Sequence, residues 1–160
     1  MNASRDSART EDGDLARCQQ LANSHYENFA IGSRLLTSTS RDALAAIYAV
    51  VRIADDLADE ERPGVTPEQR VAEIREWQQG LETAVSGQPA PHWAQRAGAL
   101  AIRRHALDVD CFRALFRAFI RDAEGADYDS FEDLLGYCRD SADPVGRLVI
   151  QLLDPECSGN

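Results

Sequence analysis

The segment from Ser40 to Glu60 constrains the fold of this chain most strongly, because its apolar residues repeat with the period of one helix face. It contains neither proline nor glycine, and Ser40 is a residue type that caps helix N termini. A helix with so regular an apolar face is stable only when other elements cover that face. The segment therefore predicts a long helix, with apolar positions Leu44, Ile47, Tyr48, Val51, Ala54 and Leu57.

The rest of the chain also has helical period, and no segment shows the alternation of a strand or hairpin. Thr66 and Gln69 form a capping-box pattern, with a proline between them at the first helical position. Residues 1–13 are polar and small, which predicts a disordered tail. The sequence therefore predicts an all-α domain without internal repeats. Its other helices are expected to begin near Asp14, Thr66, His92, Asp110, Ser130 and Asp143.

A chain of 160 residues fits one domain. Its net charge of -10 argues against a nucleic-acid partner, since phosphate contacts need clustered basic residues. The four cysteines have neither CxxC nor zinc-type spacing, which favours free thiols in a reducing compartment. The N terminus lacks the apolar core of a signal peptide, and no apolar run approaches the ~18 residues of a spanning helix. We therefore expect a cytoplasmic protein.

The long helix ends in five carboxylates within the seven positions 55–61. Arg52, Asp55 and Asp59 share one helix face, and Asp56 lies about 100° round from Asp55. Like charges at this spacing repel, and acids at a helix C terminus oppose the macrodipole, each by a few tenths to roughly 1 kcal/mol. A solvated acidic helix end is one interpretation. The other is a site for a hard divalent ion such as Mg²⁺, which takes carboxylate oxygens together with waters and substrate phosphates.

Three blocks of residues together resemble the squalene/phytoene synthase family. They read H-Y-E-N-F at 25–29 with G-S at 32–33, R-x-x-L-x-x-I-Y-A-x-x-R-x-A-D-D-L-A-D-E at 41–60, and Y-C-R-x-S-A-x-P-V-G-R-L at 137–148. The resemblance covers residues 14–153, leaves 154–160 as a tail that does not match, and implies the N-terminal part of a class I isoprenoid synthase fold. The first and third blocks are most similar to the bacterial hydroxysqualene synthase (HpnC-type) branch of hopanoid biosynthesis. That branch converts presqualene diphosphate and water to hydroxysqualene and diphosphate.

The resemblance implies roles for individual residues. Asp55, Asp56 and Asp59 match the first aspartate-rich motif, which in the family holds Mg²⁺ that bridges to the substrate diphosphate. Arg52 matches an arginine that contacts the phosphates, and Tyr137 matches a tyrosine near the reacting allylic groups. Tyr137, Asp55 and Asp59 are therefore expected to be catalytic. The positions expected to line or closely approach the cavity are His25, Asn28, Phe29, Ser141, Val145 and Gly146.

Several side chains also have a purely structural interpretation. His25 lies on a predicted helix beside Phe29, where a histidine is more often a core or surface residue than a catalytic group. Tyr137 falls on an amphipathic face, where such a residue usually packs in the core. Arg147 can pair with a surface acid as readily as with a phosphate. Trp77 and Trp93 match no functional motif and are predicted to be packing residues.

The second aspartate-rich motif of the family has no counterpart here, since Asp154 is the only aspartate after residue 148. We therefore expect these 160 residues to be a truncated and inactive form of such an enzyme. Within the family, a fragment of a phytoene synthase or a presqualene diphosphate synthase is the alternative. From another class, the alternative is an acidic all-α module that binds a partner through uncovered helix faces.

The resemblance also implies a ligand and a cofactor. The expected substrate is a prenyl diphosphate, either presqualene diphosphate or farnesyl diphosphate, and the expected cofactor is Mg²⁺. A lipid substrate implies peripheral association with the inner face of the membrane, and the oligomeric state is left open.

Overall fold

A computed structural model of the chain describes residues 3–24, 36–59, 62–125 and 127–154. These residues form helices and their connections and contain no strand, which confirms the predicted all-α class. None of the described helices combines the length and the apolarity needed to cross a bilayer. The elements in chain order are α1 (Ala3–Ser24), α2 (Ser38–Asp59), α3 (Pro67–Val85), α4 (Trp93–His105), α5 (Val109–Glu124), α6 (Phe131–Ser141) and α7 (Asp143–Leu153).

Helix α2 is the centre of the bundle. It packs against α1, α3, α4, α5 and α7, and every residue from 43 to 50 is buried. Small side chains let α4 come close, and a Cβ placed on Gly98 would lie only 2.5 Å from Val50 Cγ2. The indole of Trp77 on α3 donates to the Val50 carbonyl oxygen at 3.1 Å. These contacts hold the polar end of α2 in a fixed position.

The start of α2 differs from the prediction. The helix begins at Ser38, and the hydroxyl of Thr37 accepts from the Ser40 backbone N–H at 3.2 Å, as a capping side chain does. Ser40 is instead buried, and its hydroxyl donates to the Leu152 carbonyl oxygen of α7 at 3.2 Å. Ser40 therefore joins two helices instead of capping one.

Other helix ends follow the predicted signals more closely. The capping box of Thr66 and Gln69 is present at α3, and the Ser130 side chain accepts from the Asp133 backbone N–H at α6. Helix α5 ends at Gly125, whose φ of 65° suits a residue without a Cβ. Asp143 does not cap α7. It is the first residue of that helix, and the N-cap residue is Ala142, which makes no side-chain hydrogen bond.

Helix α1 occupies residues that we expected to be disordered. It begins at Ala3 instead of near Asp14, so the expected tail is helical from residue 3 onward. Asp14 is buried and accepts two hydrogen bonds from the Arg96 guanidinium of α4, at 2.7 and 2.9 Å. Glu11 pairs with Arg104 at 3.4 Å. These long-range ion pairs join the polar helix to the bundle, and no local pattern in residues 1–13 reveals them.

Helices α6 and α7 present apolar side chains to solvent. No residue of α6 is buried, and Phe131 is 74% exposed at its first position. On α7, Leu148 is buried whereas Ile150 and Leu153 are exposed. This end of the molecule is therefore only partly covered by the rest of the bundle.

Candidate functional site

The last two turns of α2 carry the predicted cluster of one arginine and three aspartates. Arg52 contacts two of the acids, with Nη2 2.6 Å from Asp56 Oδ1 and Nη1 3.3 Å from Asp55 Oδ2. These three side chains are each about one-third exposed, and Asp59 is exposed at the helix end. The guanidinium therefore bridges Asp55 and Asp56 at the i, i+3 and i, i+4 spacings. The sequence grouped Arg52 with Asp55 and Asp59, whereas the shorter contact goes to Asp56.

Asp55 lies in an unfavourable position for a negative charge. Its pKa is raised mainly by burial, and then by the charges of Asp59, Asp56 and Asp122, while Arg52 opposes the shift. One arginine therefore does not offset the repulsion among these acids. A further cation would stabilise the ionised form.

The polar end of α2 is also held by a contact from α3. The Arg70 guanidinium donates to the Ala58 carbonyl oxygen at 2.8 Å, close to the last turn of α2. A cation at a helix C terminus satisfies a carbonyl that has no intrahelical partner and complements the macrodipole. Arg70 thus partly offsets the cost of placing Asp55, Asp56 and Asp59 there. Sequence reasoning missed this residue, because the contact depends on how α3 packs on α2.

The structure adds a carboxylate that sequence reasoning missed, Asp122 near the end of α5. Burial and the charge of Asp59 raise its pKa, while hydrogen bonding to Tyr137 and the charge of Arg121 lower it. Asp122 also acts electrostatically on Asp55, so α2 and α5 bring their acids to one place. A signal existed: Asp122 follows the buried residues Leu115 and Phe119 at helical spacing, which places an acid on an otherwise apolar face.

Tyr137 on α6 lies against this acidic group. Its hydroxyl donates to Asp122 Oδ2 at 3.0 Å, and its ring centroid is 5.3 Å from that of Tyr128. Burial and the hydrogen bond to Asp122 raise the pKa of Tyr137, and a hydrogen bond with Ser141 lowers it. The Arg121 guanidinium stands over the Tyr128 ring, 4.8 Å from its centroid. The predicted pair of Tyr137 and Ser141 is therefore brought together, beside the acids of α2 and α5.

The remaining predicted residues have different surroundings. Val145 is half-buried and packs on the core. A Cβ at Gly146 would have nothing within 4 Å, so the predicted role of Gly146 in close helix approach is wrong here.

Arg147 forms an ion pair with Asp108 at 2.7 Å, which supports the surface interpretation. Trp77 and Trp93 pack on the core, as predicted. Three of the predicted cavity residues lie outside the described part of the chain: His25, Asn28 and Phe29.

The donor set fits a hard divalent cation in kind but is not a ready-made cage. Within the described residues, no group of three or more His, Cys, Asp or Glu side chains is arranged to hold a metal ion. Asp55 and Asp56 supply carboxylate oxygens that are now engaged by Arg52. Mg²⁺ commonly uses one or two protein carboxylates and completes its shell with waters and substrate phosphates. The arrangement thus suits an ion that arrives together with an anionic substrate.

Comparison with known proteins gives one consistent family. The model of the squalene/phytoene synthase family matches residues 22–158, which extends beyond residue 153 where the resemblance was expected to end. A hydroxysqualene synthase of Rhodopseudomonas palustris is 33% identical over 130 residues, covering 79% of this chain and 41% of that protein. A presqualene diphosphate synthase of the same organism is 32% identical, covering 84% of this chain and 49% of that protein.

Solved structures agree with the sequence comparisons. The crystal structure of squalene synthase HpnC from Alicyclobacillus acidocaldarius is similar with a TM-score of 0.77 and 38% identity, over 91% of this chain and 54% of that one. A dehydrosqualene synthase with bound ligand has a TM-score of 0.75 at 22% identity, over 90% of this chain and 48% of that one, and shows the fold alone. The chain spans less than half the length of the curated relatives named above.

Proposed function

The chain belongs to the squalene/phytoene synthase family, and from this premise we propose that it binds a prenyl diphosphate through the polar end of α2. The observation that carries the proposal is the bridging of Asp55 and Asp56 by Arg52 at a partly exposed helix end, with Tyr137 and Asp122 beside it. This arrangement supplies a cation and metal-type oxygen ligands for the diphosphate. It also supplies an aromatic pair for the prenyl chain.

Each side chain has a defined task in this proposal. Asp55, Asp56 and Asp59 would hold Mg²⁺, which when bound stabilises the negative charge of the departing diphosphate. Arg52, now paired with two carboxylates, presents a planar fork of donors that suits phosphate oxygens. Tyr137 and Tyr128 offer ring faces to an electron-poor prenyl group. The helix end would thus receive the anion and the aromatic pair the hydrocarbon.

Within the family, we propose the hydroxysqualene synthase reaction. The form of the third motif, Y-C-R-x-S-A-x-P-V-G-R-L at 137–148, supports this branch, as does the 38% identity with the HpnC structure. Hydroxysqualene formation needs a water molecule next to the carbocation. The hydrogen-bonded side chains of Tyr137, Ser141 and Asp122 are polar groups that could bind this water. Presqualene diphosphate synthase and phytoene synthase are the alternatives, because relatives of both kinds have similar identity, 32% and 29%.

These 160 residues contain one of the two aspartate-rich motifs of the family. We therefore propose that they bind substrate but turn it over slowly, because Mg²⁺ needs a near-octahedral shell that one motif fills incompletely. The first test is incubation of the purified protein with Mg²⁺ and presqualene diphosphate, followed by product analysis. The expected result is little or no hydroxysqualene, while calorimetric titration with the same substrate shows binding that depends on Mg²⁺. Efficient turnover would contradict the proposal that one aspartate-rich motif fills the Mg²⁺ shell incompletely.

The candidate reactions of the family are separated by comparing the affinities for presqualene, farnesyl and geranylgeranyl diphosphates in the presence of Mg²⁺. Tightest binding of presqualene diphosphate supports the hydroxysqualene reaction, and tightest binding of geranylgeranyl diphosphate supports the phytoene alternative. Absence of binding to all three would contradict the proposed function.

A non-enzymatic helical module is the second candidate, and the exposed apolar residues Phe131 and Ile150 favour it. Such a module would not need the Arg52 cluster to bind its partner. Unchanged partner binding in an Arg52→Ala variant, together with no affinity for any prenyl diphosphate, would support the module over the enzyme.

A further inference from the structure

We propose that Asp122 is a positioning residue, which orients and polarises the Tyr137 hydroxyl so that the pair stabilises a positively charged group of the substrate. The inference rests on the proposed function and deepens it. In this proposal the positively charged part of the reacting molecule binds at α5 and α6, and its negatively charged diphosphate binds at the end of α2.

The geometry fixes the direction of the Tyr137 hydroxyl proton. A phenol has one proton to donate, and here it goes to Asp122 Oδ2 at 3.0 Å. The ring is held from the side by Tyr128, with the centroids 5.3 Å apart. Both Tyr137 and Asp122 are only partly exposed, so the bond lies where solvent competes weakly for it. The lone pairs and the ring face of Tyr137 are thereby left in a defined orientation.

The neighbouring arginine, Arg121, donates its hydrogen bond to a different acid. The Arg121 guanidinium pairs with Asp133, Nη2 to Oδ2 at 2.5 Å, and lies over the Tyr128 ring. Arg121 is therefore engaged on the α6 side, although it adjoins Asp122 in the chain. The guanidinium of Arg121 thus hydrogen-bonds Asp133 and acts on Asp122 through its charge, while the hydrogen bond to Asp122 Oδ2 comes from Tyr137.

A phenol that donates to a carboxylate has more negative charge on its oxygen and ring than a free phenol. Such a group attracts a cation through its dipole and its ring face, and the attraction is stronger in a partly desolvated site. Asp59 and Asp122 are close enough to interact electrostatically, so the cationic and anionic ends of a bound molecule would be neighbours. The site would then match an ion pair formed when an allylic diphosphate ionises.

Binding of a charged probe tests this role without requiring turnover. The probe is a prenyl trimethylammonium ion, and the uncharged prenyl alcohol of equal chain length is the comparison, both titrated by calorimetry with Mg²⁺ and inorganic diphosphate present. Asp122→Asn and Tyr137→Phe are each expected to weaken ammonium binding about tenfold, equivalent to ~1.4 kcal/mol, and alcohol binding less than about twofold. The double variant should lose little more than either single one, because the two side chains act together.

Asp140→Asn is the matched control. Asp140 lies on the same helix as Tyr137 but pairs with Arg117 at the surface, so this variant should change neither affinity. Equal losses for the charged and uncharged probes, additive losses in the double variant, or no ammonium binding by the unchanged protein would each overturn the proposal.

A spectroscopic measurement guards against a folding defect. In protein labelled with ¹³C at the tyrosine ring carbon that bears the hydroxyl, the Tyr137 signal should move in Asp122→Asn and stay in place in Asp140→Asn. An unmoved Tyr137 signal in Asp122→Asn overturns the positioning role. If the protein without substitutions does not bind diphosphate, the proposed function is contradicted instead, because that binding depends on Arg52 and the acids of α2.

Discussion

The carboxylate of Asp55 is close to three like charges, from Asp56 and Asp59 on its own helix and from Asp122 on the neighbouring one, and only the charge of Arg52 opposes them. Burial and these charges raise its pKa above the ordinary 3.8, so the folded protein holds this proton more tightly than the unfolded chain does. The stability that comes from the protonated form is present at low pH and is lost as the pH rises through the raised pKa. At neutral pH, the ionised Asp55 therefore destabilises the fold.

From this sign we predict that Asp55→Asn raises the melting temperature in metal-free buffer at neutral pH. The advantage should vanish as the pH falls below about 3.8, where the carboxyl of the unchanged protein is protonated in both the folded and unfolded states. Thermal unfolding over a pH series measures this, with Asp140→Asn as a control in an exposed ion pair. A variant that is less stable than the unchanged protein at neutral pH would contradict the assigned electrostatics.

At the scale of helices, close packing of α2 against α4 depends on Gly98. A Cβ at this position would lie 2.5 Å from Val50 Cγ2 and 3.4 Å from Leu81 Cδ1, both of which belong to the core. We predict that Gly98→Ala lowers the free energy of unfolding by about 1–3 kcal/mol, because a well-packed core has no room for the methyl group. Gly13→Ala is the matched control, since nothing lies within 4 Å of a Cβ there. Denaturant unfolding should show Gly13→Ala to be neutral or stabilising, and equal losses in both variants would refute the packing argument.

The position of the α2 end depends on Arg70 of α3, which donates to the Ala58 carbonyl oxygen at 2.8 Å. We predict that Arg70→Met weakens Mg²⁺-dependent diphosphate binding by several-fold, although Arg70 is not among the side chains proposed to contact Mg²⁺ or diphosphate. The reason is that the last turn of α2 loses the hydrogen bond from Arg70. It also loses the favourable interaction of this cation with the helix C terminus, which contributes roughly 1 kcal/mol. Calorimetric titration measures the change, and Arg113→Met serves as the control, because Arg113 pairs at the surface with Glu82 and Asp110. Equal affinity in the two variants would show that Arg70 does not position the site.

At the scale of the whole molecule, local patterns predicted much of the fold. The apolar period and the capping box at Thr66–Gln69 locate α2 and α3, because such signals act within a few residues of the chain. The helical state of residues 3–13 was not predictable in this way, since Asp14 is held by Arg96, which lies far along the chain. The contact between Asp122 and Tyr137 likewise follows from how α5 and α6 pack.

The candidate site was predicted to a similar degree. Arg52, Asp55 and Asp56 come together because they lie on consecutive turns of one helix. Asp122 was missed, since its neighbours across the site belong to other helices, and Gly146 was misassigned, because a motif does not show which glycine lies at a crowded contact. Gly98 lies at such a contact, with surroundings set by α2 and α3, and Gly80 lies at another, against Gln95 of α4.

The central claim is that the end of α2 binds a diphosphate together with a divalent ion. Calorimetric titration with inorganic diphosphate, with and without Mg²⁺, tests it most directly in the unchanged protein and in Asp55→Asn, Asp59→Asn and Asp140→Asn. We predict binding that requires Mg²⁺, that weakens about tenfold or more in Asp55→Asn and Asp59→Asn, and that is unaffected in Asp140→Asn. Binding that ignores Mg²⁺, or that is equal in all three variants, would contradict the claim.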